Sequence, residues 1–419
     1  MRYLRRKVSK ERSAEKTMTP ALWSVIVVTL LGYVGTAMPY PVFAPLFLGT
    51  DSAIARSGVL SPTMLFALLV AVYPLGTLIG SFYLGQLSDR VGRRKVILST
   101  LIVGVFTNAL AGYAILAENY GLLFLARFLT GVCEGNISVA RAVVADLDLG
   151  AGKAVAFGYL SSAGYAGYLT GPLLGGFLSH LHFATPFFLA AGLCVLAAVA
   201  CRASMPETRF RVEETPRRGS VSIWRAPGLV VALAIQFFIT FTINIYHEFF
   251  PALMVEKWNA TPEQIGYATI VATATMITLS VVGMRPILRR WNTGQLYFCS
   301  MLMLGFSIAL FVVPDRLLAL YPVFVVFGVS LAIFNSSSNA WLSDAYAYVE
   351  QGRLMGVIAS MFFLSNIAAA MLGGVIADRS IALLMVLGGI IAVTAGLTFR
   401  VARSYRGVSG SGADQTVIE

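Results

Sequence analysis

Apolar residues run through this chain in blocks separated by short polar turns. A helix needs about 20 apolar residues to cross a hydrocarbon layer of about 30 Å, and twelve blocks of that kind can be laid down. They fall near 21–48, 62–86, 96–117, 121–145, 154–179, 183–204, 227–254, 263–287, 294–313, 317–342, 354–377 and 381–402. An even number of spans places both termini on one side, and the basic residues indicate which. The arm before residue 21, the turn 85–95, Lys153, the stretch 202–225, Arg285, Arg289, Arg290, Arg353, Arg400, Arg403 and Arg406 share one face. The other face keeps Arg56, Lys257, Arg316 and Arg379. Cytoplasmic loops carry the excess of Lys and Arg, so both termini are expected in the cytoplasm and the chain in the cell (inner) membrane.

The predicted organisation is a basic cytoplasmic arm over 1–20, a six-helix half over 21–204, a cytoplasmic linker over 205–226, a second six-helix half over 227–403 and a tail without structure over 404–419. The linker shows in the Pro, Gly and mixed charge of MPETRFRVEETPRRGSVSIWR. A constant offset of 198 positions relates Gly85 to Gly283, Asp146 to Asp344, Gly158 to Gly356, Ser162 to Ser360, and Gly175-Gly176 to Gly373-Gly374. The fold class is therefore all-α and polytopic, with twelve transmembrane helices in two pseudo-symmetric halves.

Composition narrows the function classes. The 419 residues are 57% hydrophobic and only 12% charged, with a mean hydropathy of +0.77, well outside the range of a soluble globular chain. A formal charge of +11 would suggest nucleic acid in a soluble protein. Here topology accounts for it, so the expected partners are the lipid bilayer and no nucleic acid. Cys133, Cys194, Cys201 and Cys299 lie in or beside apolar runs without metal-ligand spacing, and read as free thiols used in packing. No metal site, nucleotide loop or nucleophile triad is present, so an enzyme is not expected. The basic first residues precede an apolar run too long for a cleaved signal peptide, and span one is expected to be retained.

The turn GQLSDRVGRRK, residues 85 to 95, packs Asp89 and the cations Arg90, Arg93, Arg94 and Lys95 between two apolar runs. Charge of that density belongs at a membrane surface. Gly85, Asp89, Arg90, Gly92, Arg93 and Arg94 resemble the Gly-x-x-x-Asp-Arg-x-Gly-Arg-Arg pattern of the major facilitator superfamily, found between its second and third spans. The resemblance implies two six-helix halves rocking about a central site, the arrangement of parallel-repeat transporters. It also implies a cytoplasmic latch in which Asp89 meets the start of span eleven and Arg93 bridges to Asp146.

In span five, Gly158, Gly167, Gly171-Pro172 and Gly175-Gly176 allow close helix approach and a bend. The same spacing, with TPFFLAAG and MPET after it, resembles the drug:proton antiporter branch of that superfamily, the tetracycline and multidrug efflux group. Span four carries Arg127, Glu134 and Arg141 at seven-residue steps, each step about 10 Å along one helix face. The resemblance places Arg127 on a family arginine linked to proton coupling. One reading makes Glu134 the proton-exchanging group with Arg127 modulating it; the other makes Glu134 a structural ion pair with Arg127, Arg141 or a neighbour. Span seven places His247 beside Glu248, either a proton relay or two groups near the outer interface, solvated or hydrogen-bonded. Candidate cavity residues are Tyr33, Tyr40, Arg141, Asn244, Asn335, Ser336 and Asn339.

The expected function is secondary transport of a small organic molecule in exchange for protons, as a monomer, with the proton gradient as energy source and no cofactor. Span one has no acid before Asp51, so an anionic or zwitterionic cargo such as a siderophore or carboxylated metabolite fits the charge better than a lipophilic cation. A proton-coupled importer, a uniporter and a transporter-like receptor remain as alternatives.

Overall fold

The computed structural model describes residues 20–49, 52–56, 60–146, 153–205, 227–346, 349 and 351–410. The basic arm before residue 20, the linker 206–226 and the tail beyond 410 lie outside these residues. The described chain is helical, and the helices reproduce the twelve spans: Pro20–Gly49, Pro62–Val91, Arg93–Leu116, Tyr120–Val144, Lys153–Leu178, Thr185–Ser204, Leu229–Trp258, 262–290, Thr293–Leu310, Leu317–Ala345, Gln351–Ala377 and Ile381–Gly410. Large apolar side chains such as Phe106, Phe177 and Phe306 stand exposed. In water such a surface would drive aggregation, whereas in a bilayer it is the solvated face.

Local chemistry sets the ends. Span two starts where Ser61 Oγ accepts from the Met64 amide at 3.2 Å and Pro62 occupies the first turn. Its 30 residues amount to about 45 Å, so both ends pass beyond the hydrocarbon. Span nine opens on a capping box between Asn292 and Gln295. Span one is interrupted around Pro39, Pro41 and Pro45, which cannot donate backbone hydrogen bonds, and closes in a π turn over Pro45–Gly49. Span eight is likewise broken by a π turn over Leu279–Gly283.

Two expectations about boundaries are corrected. Residues 85 to 91 are not part of a loop: the helix continues through Val91, and Gly92 alone turns the chain into the next helix. Its φ of 113° is a conformation that a side chain strains. The polar residues Gln86, Ser88, Asp89 and Arg90 prolong a helix without difficulty once it has left the lipid. At the other end, span twelve continues to Gly410, into the stretch expected to lack structure; from Leu397 to Arg406 it contains no proline or glycine.

The chain divides into two compact units. One holds the described residues up to Met205 together with 254–270; the other holds the rest. In the first, spans one and five pair closely, as do spans two and four and spans three and six. In the second, span nine packs between spans ten and twelve. Thr242 Oγ1 of span seven donates to the Gly388 carbonyl of span twelve at 3.1 Å. The offset repeat is visible in the packing: Gly175 meets Met38 of span one, and Gly373 meets Phe249 of span seven.

Candidate proton and gating sites

Two glycine pairs build the centre of the first unit. Gly76 and Gly80 on span two face Gly131 and Gly135 on span four. A Cβ at Gly80 would collide with the Val132 carbonyl, one at Gly131 with the Tyr73 carbonyl and one at Gly135 with the Gly80 and Ser81 backbone. Small residues four apart on both helices permit this backbone contact. It brings Tyr73 beside Glu134.

The Tyr73 hydroxyl donates to Glu134 Oε2, and Thr36 Oγ1 of span one donates to the same oxygen. Thr36 is also 2.9 Å from the Gly32 carbonyl. Arg127 is buried, its guanidinium 4.4 Å from the Tyr73 ring centroid and 5.3 Å from that of Phe43. Tyr73 thus stands between the two charges, hydroxyl to the acid and ring face to the cation, a cation–π contact. Among the described residues Glu134 forms no ion pair with Arg127 or Arg141, and Arg127 Nε has no hydrogen-bond partner.

The three charges expected on one face of span four, Arg127, Glu134 and Arg141, differ in burial. The helix ends at Glu134 and restarts at Asn136, the break falling at Gly135 where span two presses on the backbone. Arg127 is buried, Glu134 half-buried and Arg141 exposed. Tyr73 and Thr36 were not candidates. The detectable signal was the two pairs of glycines four apart, with one tyrosine hydroxyl in the otherwise apolar LFALLVAVYPLG.

At the membrane face carrying Gly92, Arg93 Nε lies 3.0 Å from Asp146 Oδ2 and its Nη1 2.6 Å from Asp89 Oδ1, and Nη1 also donates to Ser88 Oγ at 2.6 Å. The Arg93 and Asp146 side chains are 6% and 12% exposed, Asp89 49%. The side chains at the start of span eleven, the partner expected for Asp89, lie outside the described residues. Arg94 caps the Arg202 carbonyl at 2.8 Å, Arg90 is exposed, and a Cβ at Gly85 would meet nothing within 4 Å. Exposed pairs contribute at most about 1 kcal/mol, whereas breaking a buried one costs about 3–5 kcal/mol. Asp146→Asn is therefore expected to cut turnover about tenfold or more while solute binding persists, and Asp89→Asn to do less. Equal effects in a transport assay would remove this ranking.

In span five, Gly167 and Gly171 lie against Tyr33, Val34 and Ala37 of span one, and Gly176 against Pro262 and Glu263. Pro172 is buried, its carbonyl beside Gly266. The surroundings of Gly158 lie outside the described residues.

Span seven departs from the expectation of a solvated pair. Its helix runs to Trp258, so Glu248 sits ten residues, about 15 Å, below that end. The side chain is 2% exposed, and among the described residues neither carboxylate oxygen has a partner. His247 stands edge-on to Phe327 at 6.3 Å. Asn244, one turn from Glu248, donates to Ser365 Oγ at 3.0 Å and accepts from Asn366 Nδ2 at 3.1 Å. Of the remaining cavity candidates, Tyr33 packs on Tyr168 with centroids 5.1 Å apart, Tyr40 and Ser336 are half-buried, Asn335 Nδ2 contacts Met276 Sδ at 3.8 Å, and Asn339 is exposed.

A family model described as Major Facilitator Superfamily matches residues 25–250 and 232–415. The chain belongs to the major facilitator superfamily. Multidrug resistance protein 2 of Bacillus subtilis (strain 168) is 26% identical over 397 residues, spanning 89% of this chain and 92% of that protein. Tetracycline resistance protein, class B, of Escherichia coli is 31% identical over 195 residues, 45% of each chain. The fold matches the crystal structure of a D-xylose-proton symporter with a TM-score of 0.73 at 16% identity, over 90% of this chain and 97% of the other. As a member of the superfamily this chain is an integral multi-pass membrane protein and a secondary transporter of small organic molecules, not an enzyme.

Proposed function

We propose that this major facilitator exports a small organic molecule in exchange for protons, with Glu134 as the proton-exchanging group. The observation that carries the reading is the setting of Glu134: two hydroxyls on one oxygen, and a cation held on the far side of Tyr73 rather than paired with the acid. A carboxylate locked to arginine would exchange its proton only after breaking an ion pair. Here the hydroxyls of Thr36 and Tyr73 can serve either protonation state, since each both donates and accepts. The multidrug and tetracycline resistance proteins among the relatives support export, and amphiphilic or anionic molecules are the cargo class proposed. Drive comes from the membrane gradients, a charge moved through 100 mV being worth about 2.3 kcal/mol; no cofactor is involved.

The proposal extends to Arg93, Asp89 and Asp146 as the latch of the cytoplasmic side, to His247 and Glu248 as a second titratable pair, and to a monomer in the inner membrane with both termini in the cytoplasm. The test is proton flux in liposomes containing the purified protein and a pH-sensitive dye, with tetracycline, a fluoroquinolone and a carboxylated siderophore added in turn. Proton movement opposite to the solute is expected. Co-directional movement would make the chain a symporter.

A further inference from the structure

A cavity of about 30 Å³ lies inside the first unit between spans one, three, four and six. Its polar lining comprises Thr29, Thr100, Asn108, Thr130, Asn136 and Glu134 itself. Most of the lining is apolar, and Thr100, Asn108, Thr130 and Asn136 donate to protein groups; a space of this size still takes water, at about 10–15 Å³ per molecule, where it offers at least two free polar partners. There is room for about two.

Three further observations concern the same space. Thr29 is 5% exposed, and among the described residues its hydroxyl has no partner. Other helical threonines here, Thr77, Thr130 and Thr275, return their hydroxyls to the carbonyl four residues earlier, so the exception marks a hydroxyl left for something other than protein. On Glu134, both neighbouring hydroxyls address Oε2, and among the described residues Oε1 has no hydrogen-bond partner. Finally, Gly32 lines the cavity, and a Cβ there would meet no atom within 4 Å.

The cavity points along the membrane normal. Thr29 lies seven residues from Thr36 on span one, about 10 Å toward the face carrying Arg93, and Thr100 lies seven residues, again about 10 Å, from Arg93 on span three. Asn136 Nδ2, just past the helix break, donates to Thr100 Oγ1 at 2.8 Å. Beyond Thr100 the polar row stops at a cluster that includes Leu22, Val25, Ile97 and Val143. The space is thus closed by apolar side chains before it reaches the latch.

We propose that this cavity is a water-binding site that serves Glu134, giving the carboxylate a proton route through the body of the first unit. The inference rests on the reading of Glu134 as the proton-exchanging group. In the step itself the O–H bond at Glu134 Oε1 breaks, an O–H bond to the adjacent water forms, and that water passes one of its own protons to the second water beside Thr29, which gives it up to bulk water on the face carrying Arg93 when the apolar plug parts. The apolar plug is what coupling requires, because an open wire to the face would dissipate the gradient.

Two measurements on the full-length protein in liposomes test this. Radiolytic footprinting labels side chains beside bound water, and the molecule supplies its own controls: Cys133 and Cys194 line the cavity, whereas Cys201 is buried outside it. Faster oxidation of the first two is expected, and its loss in Gly32→Leu, whose side chain fills the space. Oxidation no faster than at Cys201 overturns the water site. The second measurement follows hydrogen–deuterium exchange of the carboxyl infrared band that disappears in Glu134→Gln. About tenfold slower exchange is expected in Gly32→Leu, with a smaller slowing in the near-isosteric Thr29→Val, which removes only the hydroxyl and guards against a folding defect in the first variant. Unchanged exchange in both overturns the route. If Glu134→Gln removes no band and leaves the pH-gradient response intact, the reading of Glu134 fails, and the footprint still decides whether the cavity holds water.

Discussion

Glu134→Gln is expected to transport without coupling. Glutamine keeps the shape of the side chain and can still accept from the Thr36 and Tyr73 hydroxyls, so the glycine contact between spans two and four and the fold around it should survive. What it cannot do is exchange a proton. One pH unit across the membrane is worth about 1.4 kcal/mol, a tenfold accumulation for each proton moved per solute molecule. In the variant that ratio should fall to one, while exchange of labelled for unlabelled solute at equal pH continues. Tyr73→Phe, which leaves the acid one donor short, should weaken the response without removing it. Retention of gradient-driven accumulation by Glu134→Gln would assign coupling elsewhere, and Glu248 would be the next residue to change.

The second large effect belongs to the glycines. Gly80→Ala places a methyl group on the Val132 carbonyl and Gly175→Ala places one on the Met38 carbonyl. Neither neighbour is the free end of a flexible side chain, so the helices must part. Overpacking of ordinary cores costs about 1–3 kcal/mol, and a backbone obstacle puts these two at the upper end or beyond. Gly192→Ala is the matched control: also within a helix, with nothing within 4 Å of the added carbon, and expected to gain up to about 1 kcal/mol from helix propensity alone. Thermal unfolding in detergent followed by size-exclusion chromatography should show early loss of monodisperse protein for the first two and none for the third. A similar melting point for all three would mean that spans two and four, and one and five, pack less closely than described.

Much of this architecture was legible in the sequence because the bilayer imposes it. Hydrocarbon leaves only long apolar helices as spans, so run length alone located all twelve, although spans two and twelve run on past their expected ends to Val91 and Gly410, and the density of charge at 85–95 had only the surface to go to. The pairing of Arg93 with Asp146 was legible through the family pattern and is seen in the geometry. The site around Glu134 was half legible. The acid stood out as a charge in an apolar run, but its partners Thr36 and Tyr73 lie 98 and 61 residues away in sequence, and periodicity carries no information across such separations. Nor does helix periodicity carry burial: Arg127 is buried and Arg141, fourteen residues on, is exposed, because depth and neighbours decide that. The burial of Glu248 escaped for a related reason: how far span seven runs is decided by what packs on its end, and four more residues of helix than expected carry the acid well inside.

The single-residue turn at Gly92 has a consequence for how this surface meets other proteins. Arg90, Arg93, Arg94 and Lys95 would in an ordinary loop form a cluster of cleavage sites for a trypsin-like protease. Such enzymes bind their substrate as an extended strand, and exposed loop tips are where nicking concentrates. Here the Gly92 amide donates to the Ser88 carbonyl and the Val96 amide to Gly92, so the backbone is committed to helix on both sides of one glycine. The most basic turn on this face is thereby shielded from proteolysis without a single bulky group to cover it.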